Sequence, residues 1–128
     1  MTVIKKHEKI LDSEKSIVFD MDHTICIPNL DKIDITQRYL MAKPIPKIIK
    51  KIQILSKLGW SIIIHTSRGM KSCNWDADKA YEKNKDVLVA WLKKYEVPWD
   101  MIVFGKPLAK FYVDDKALYI DDLDSIFK

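Results

Sequence analysis

The sequence predicts an α/β fold: a three-layer, Rossmann-like parallel sheet with helices on both faces. Two observations lead there. Short apolar runs rich in β-branched and aromatic residues recur at 16–20, 60–65, 101–104 and 111–113, with helix-length stretches between the first three. Each run is followed by polar or charged residues, as expected of parallel strands whose carboxyl ends open onto a ligand site. At 128 residues the chain is read as one domain, 1–128.

The elements follow in order. Residues 16–20 form a buried strand, and residues 25–43, with Pro28 and Asn29 and no sustained period, form an excursion too short for a separate domain. A helix begins at Pro44–Pro46. Ile45, Ile48, Ile49, Ile52 and Leu55 supply its apolar stripe, and Gly59 its stop. Residues 60–65 are the second strand, and residues 66–69 the turn that leaves it. Leu88, Trp91, Leu92 and Tyr95 mark a second amphipathic helix ending before Pro98. Strands at 101–104 and 111–113 follow. Residues 118–120 read either as a fifth strand or as the lead-in to a short helix started by Asp121 and Asp122.

Composition removes several classes. With 48% hydrophobic residues, 3 Gly and 5 Pro, the chain can bury a core and is neither disordered nor fibrous. No apolar run approaches the roughly 18 residues of a membrane span, so no membrane partner is expected. Residues 1–16 lack an apolar signal-peptide core, which predicts a cytoplasmic protein. Cys26 and Cys73 suggest reduced thiols rather than a disulfide or a zinc site. The 22 Lys+Arg against 18 Asp+Glu leave a formal +4, which favours anionic partners. Without a recognisable nucleic-acid motif, a nucleic acid is the less expected partner and a small anion the simpler one.

The strand ends carry the chemistry: Asp20 and Asp22, then Thr66, then Lys106, then Asp114 with Asp115. Asp20 and Asp22, two apart, point the same way and repel each other unless a cation intervenes. Oxygen ligands of this kind suit Mg²⁺. A lysine at the same mouth suits phosphate, and a carboxylate can serve as the nucleophile in phosphoryl transfer.

Four strings make a resemblance. IVFDMDHT at 17–24, IIIHTSR at 62–68, GKP at 105–107 and YVDD at 112–115 resemble, in order, motifs I to IV of the haloacid dehalogenase (HAD) superfamily. The resemblance implies an enzyme, a Mg²⁺-dependent phosphatase working through an aspartyl-phosphate. Asp20 would be the nucleophile and Asp22 the general acid and base, while Thr66 and Lys106 would hold phosphoryl oxygens. The metal would sit on Asp20, Asp22 and Asp114, with Asp115 in support. Ser67, Arg68 and His23 are further candidates for contact with the phosphate ester, Arg68 being equally readable as a structural ion pair. His23 stands where many members have glycine. The short intervals between motifs imply a capless member, similar to small phosphatases of capsule and surface-polysaccharide synthesis. The expected substrate is a small phosphate ester, with a homo-oligomer possible in principle because a capless site lacks its own lid. A nucleic-acid end phosphatase and a receiver-like phospho-Asp signalling domain are the alternative readings.

Overall fold

Among residues 2–127, those described by the computed structural model, the elements run β1 (Val3–Lys5), β2 (Ser16–Asp20), β3 (Cys26–Ile27), α1 (Ile35–Leu40), β4 (Lys43–Pro44), α2 (Pro46–Lys57), β5 (Ser61–Thr66), α3 (Ala77–Lys94) and β6 (Met101–Phe104), with 3₁₀ turns at Ser13–Lys15 and Ile120–Phe127. Strands β2, β5 and β6 are parallel neighbours, and β1 joins the far side of β6 antiparallel, in the order β1-β6-β5-β2. The register sets Asp20 beside His65 and Thr66 beside Phe104. That register brings the carboxyl ends of the three parallel strands to one edge.

Helices α2 and α3 form where the periodicity predicts them, with α3 longer than expected. Helix α2 starts with Pro46 in its first turn, where the missing N–H costs nothing. Ile48, Ile49, Ile52 and Leu55 are buried along it. Its end is a Schellman motif: Gly59 at φ +90° donates to the Ser56 carbonyl, and Trp60 N–H donates to that of Leu55. Helix α3 begins eleven residues before Leu88 because the Asp76 carboxylate caps it, accepting the Lys79 N–H at 3.2 Å.

The core lies on one face of the sheet. Phe19, Ile62, Ile64, Ile102 and Phe104 project into a cluster with Ile52 and Leu55 of α2 and Leu88, Trp91 and Leu92 of α3. Full burial of each aliphatic side chain there stabilises the fold by about 1.5–3 kcal/mol before entropy is counted. The Trp91 indole N–H donates to the Ala42 carbonyl at 3.0 Å and so ties the returning end of the 25–43 excursion to α3. The excursion closes on itself as the two-stranded ribbon β3–β4 and contains the short helix α1, which periodicity did not reveal.

Three expectations are corrected. The sheet is mixed rather than parallel, because β1 adds an antiparallel edge. Helices α2 and α3 share the core of one face; on the other face Ile63, His65, Met101 and Val103 are half-buried and Val18 is 57% exposed. Helices on both faces are therefore not found among the described residues. Residues 111–113 form no strand: Phe111, Tyr112 and Val113 are exposed. The Tyr112 hydroxyl instead donates to the Pro107 carbonyl at 2.5 Å, and the ring lies under the Lys106 ammonium, so a local turn replaces sheet pairing. Residues 118–120 are not a strand either, and the stretch from Ile120 takes the helical alternative, with Leu123 buried in the core.

Candidate functional site

Two tight loops build the site at the strand ends. After β2, the Ile25 and Cys26 N–H groups both donate to the Met21 carbonyl (2.9 and 3.3 Å), and the His23 N–H donates to that of Cys26 at 2.7 Å. His23 sits at φ +66°, the left-handed region that favours glycine. The departure from glycine at this position therefore leaves the loop its glycine-type backbone, with a side chain carried at a conformational cost. After β5, the Arg68 N–H donates to Thr66 Oγ1 at 3.1 Å, and Gly69 turns the chain at φ +78°. Gly69 packs so closely on α3 that a Cβ there would lie 2.6 Å from Asn84 Nδ2 and 3.0 Å from Ala80 Cβ.

These loops bring together two carboxylates and two cations. Lys106 Nζ is 3.5 Å from Asp20 Oδ1, and the Lys106 N–H donates to the Thr66 carbonyl, anchoring it beside β5. Arg68 forks onto Asp22: Nε donates to both carboxylate oxygens (3.2 and 3.0 Å), and Nη2 donates to Oδ1 at 2.9 Å. The guanidinium stacks over the Tyr39 ring at 4.1 Å, and Cys26 Sγ lies 3.4 Å from Asp22 Oδ1.

Electrostatics follows from this packing. Arg68 is only 2% exposed; burial opposes its charge, yet the hydrogen bonds and charge of Asp22 outweigh burial and hold its pKa above the ordinary value. Burial, reinforced by the Asp22 charge, pushes the Cys26 thiol up to about 12. The same two causes raise the Tyr39 hydroxyl. Burial and then the Lys106 charge lower the pKa of His65.

Asp20, Asp22, His23, Ser67 and Arg68 line one cavity of about 900 Å³. Its walls are completed by α1 through Ile35, Arg38 and Tyr39, by Lys71 and Ser72, and by residues 108–110 with Tyr112. Thr66 is placed differently from its expected role: it is 1% exposed, off the cavity wall, and its hydroxyl oxygen serves the turn. Asp114 and Asp115 are exposed and outside the cavity; Asp114 accepts the Lys116 N–H at 2.9 Å, and Asp115 pairs with the Lys116 ammonium. Among the described residues no three His, Cys, Asp or Glu side chains converge as a metal site.

Sequence reasoning places substrate choice in the flanking segments 25–43 and 69–78 but singles out none of Tyr39, Arg38, Lys71 and Cys26 as site residues. Arg38 and Tyr39 lie on α1, whose six residues carry no readable period, so only the ribbon that folds the excursion back puts them at the site. Cys26 stood four residues from Asp22, and that spacing was its one available signal.

No family model matches the chain, and no curated protein matches it. The fold is similar to the crystal structure of a structural-genomics target from Vibrio cholerae, with a TM-score of 0.75 and 28% identity over 87% of this chain and 88% of that one. This likeness supports a compact α/β fold. No helix among the described residues is long and apolar enough to cross a membrane.

Proposed function

We propose that the chain is a capless HAD-type phosphatase that hydrolyses a small phosphomonoester, a sugar phosphate or another phosphorylated building block such as those of surface polysaccharides. The observation that carries this reading is the meeting of Asp20, Asp22, Arg68 and Lys106 at the carboxyl ends of parallel strands, with Asp20, Asp22 and Arg68 lining one cavity and Lys106, off its wall, paired to Asp20. Opposed charges paired two by two give a carboxylate within reach of a phosphorus atom and cations within reach of its oxygens.

The donors fit Mg²⁺ in chemistry. Asp20 lines the cavity and is partly exposed, Asp22 would add its main-chain carbonyl as the resemblance implies, and Mg²⁺ commonly takes one or two protein carboxylates and keeps waters. When bound, it would neutralise charge on the phosphoryl oxygens. Asp114 does not belong to this set as the chain is folded here.

The protein's own steps are these. Asp20 attacks phosphorus and takes the phosphoryl group as an acyl phosphate, while the bond to the leaving oxygen breaks and Asp22 supplies its proton. Water, giving a proton back to Asp22, then attacks that phosphorus and releases phosphate with Asp20 restored. Lys106, Arg68 and Ser67 hold phosphoryl oxygens.

The test is phosphate release from a panel of sugar phosphates, nucleotides and phosphorylated oligonucleotides, with Mg²⁺ and with EDTA. Turnover that needs the metal and centres on one group of small esters is the expected result. No turnover on any of them, with Asp20 still accepting phosphate from a reactive donor, would replace the enzyme by a phospho-Asp signalling domain.

A further inference from the structure

We infer that the cavity takes a phosphomonoester bearing a second anionic group, held by Arg38, Lys71 and Lys110. This rests on the phosphatase reading of Asp20 and Asp22 and adds a substrate class to it.

The charge balance of the cavity is the first ground. Asp22 is neutralised by Arg68 and Asp20 by Lys106, whereas Arg38, Lys71 and Lys110 line the same cavity with no carboxylate paired to them among the described residues. Among the described residues the Arg38 side chain makes one hydrogen bond, from Nε to the Lys32 carbonyl. A phosphate accompanied by Mg²⁺ brings no net negative charge to offset three cations. A second anion does.

The second ground is a buried donor. Arg68 Nη1 is shut off from solvent and has no hydrogen-bond partner among the described residues; the residue borders the cavity, but its side chain is fully covered. Leaving a buried guanidinium N–H unsatisfied is costly, and an anionic oxygen is the acceptor that suits it. With Arg68 committed to Asp22 at the strand ends, the other three cations remain for the second group.

The walls say what joins the two anions. Leu30, Ile35 and Leu108 face the cavity while remaining 69%, 47% and 45% exposed, an apolar lining that a carbon skeleton would cover. A volume of about 900 Å³ exceeds what phosphate alone fills. The class is a compact carbon chain or ring with phosphate at one end and a carboxylate or second phosphate elsewhere.

The experiment compares kcat/KM within matched pairs: 6-phosphogluconate against glucose 6-phosphate, and fructose 1,6-bisphosphate against fructose 6-phosphate. The doubly anionic member of at least one pair should be preferred by about tenfold or more, which corresponds to about 1.4 kcal/mol. The pair that responds tells carboxylate from phosphate. In Arg38→Ala and in Lys71→Ala the preference should fall toward unity. Equal rates within both wild-type pairs, a preference unchanged in both variants, or a 5′-phosphorylated oligonucleotide preferred to every small ester would overturn the inference. Should no ester turn over, the phosphatase reading fails on its own, and calorimetric binding of the same pairs to the wild-type protein decides: tighter binding of the doubly anionic members sustains the two-anion cavity, and equal or absent binding removes it.

Discussion

Arg68 and Asp22 form a forked ion pair in which Nε and Nη2 of a side chain only 2% exposed both close on one carboxylate. The pair joins the loop after β2 to the turn after β5, so it fixes the distance between the two halves of the site. A phosphate oxygen that draws Arg68 away would free Asp22 for proton transfer.

Removing the guanidinium should therefore cost both fold and activity. Arg68→Met is expected to lower stability by about 1–3 kcal/mol, since Asp22 is left desolvated without its partner. It should also lower kcat/KM by about a hundredfold. Arg68→Lys should recover only part of either, because an ammonium cannot fork. Thermal melts and phosphate release check both, and an unchanged Tm in Arg68→Met would contradict the structural role.

Gly69→Ala is a test of how the turn is positioned. The added Cβ would collide with Asn84 Nδ2 and Ala80, at a φ that disfavours any side chain. A loss of about 1–3 kcal/mol is expected, read by urea denaturation. Wild-type stability would mean that the turn does not pack on α3 as described.

The Cys26 thiol holds its proton far above the ordinary range. Its folded value of about 12 lies above the 9.0 of a free thiol, so its contribution to stability is present below pH 9 and is lost as pH rises from 9 toward 12. Iodoacetamide at pH 8 should leave Cys26 unmodified in the folded protein and alkylate it in urea, as peptide mass spectrometry would report. Fast alkylation of the folded protein would show a thiol more exposed or more acidic than the Asp22 contact allows.

Lys106→Ala removes the cation paired with Asp20. KM for the phosphate ester should rise and kcat should fall, together costing about two orders of magnitude in kcat/KM. Wild-type kinetics would return Lys106 to a solvated surface role.

Much of the site was legible because its residues follow strands whose apolar runs are plain. Asp20, Asp22, Arg68 and Lys106 each lie within four residues of the end of β2, β5 or β6. What the sequence concealed depends on tertiary contacts. The β-rich residues 111–113 are only three long and are followed by Asp114, Asp115 and Lys116, and Tyr112 finds a nearer partner in Pro107. Intrinsic strand preference over so short a run loses to that local turn. Likewise the apolar residues of β1 number two, Val3 and Ile4, and only pairing with β6 makes them a strand. Helix α1 buries no residue and so leaves no stripe to read, yet it carries Arg38 and Tyr39 to the cavity.

The central claim is that Asp20 takes the phosphoryl group. Acid quenching during turnover, followed by peptide mass spectrometry, measures this directly. The account predicts a covalent phosphate on the peptide holding Asp20, localised to that residue, in wild type, and neither adduct nor turnover in a folded Asp20→Asn. Turnover that persists in Asp20→Asn, or phosphate found on another side chain, would contradict it.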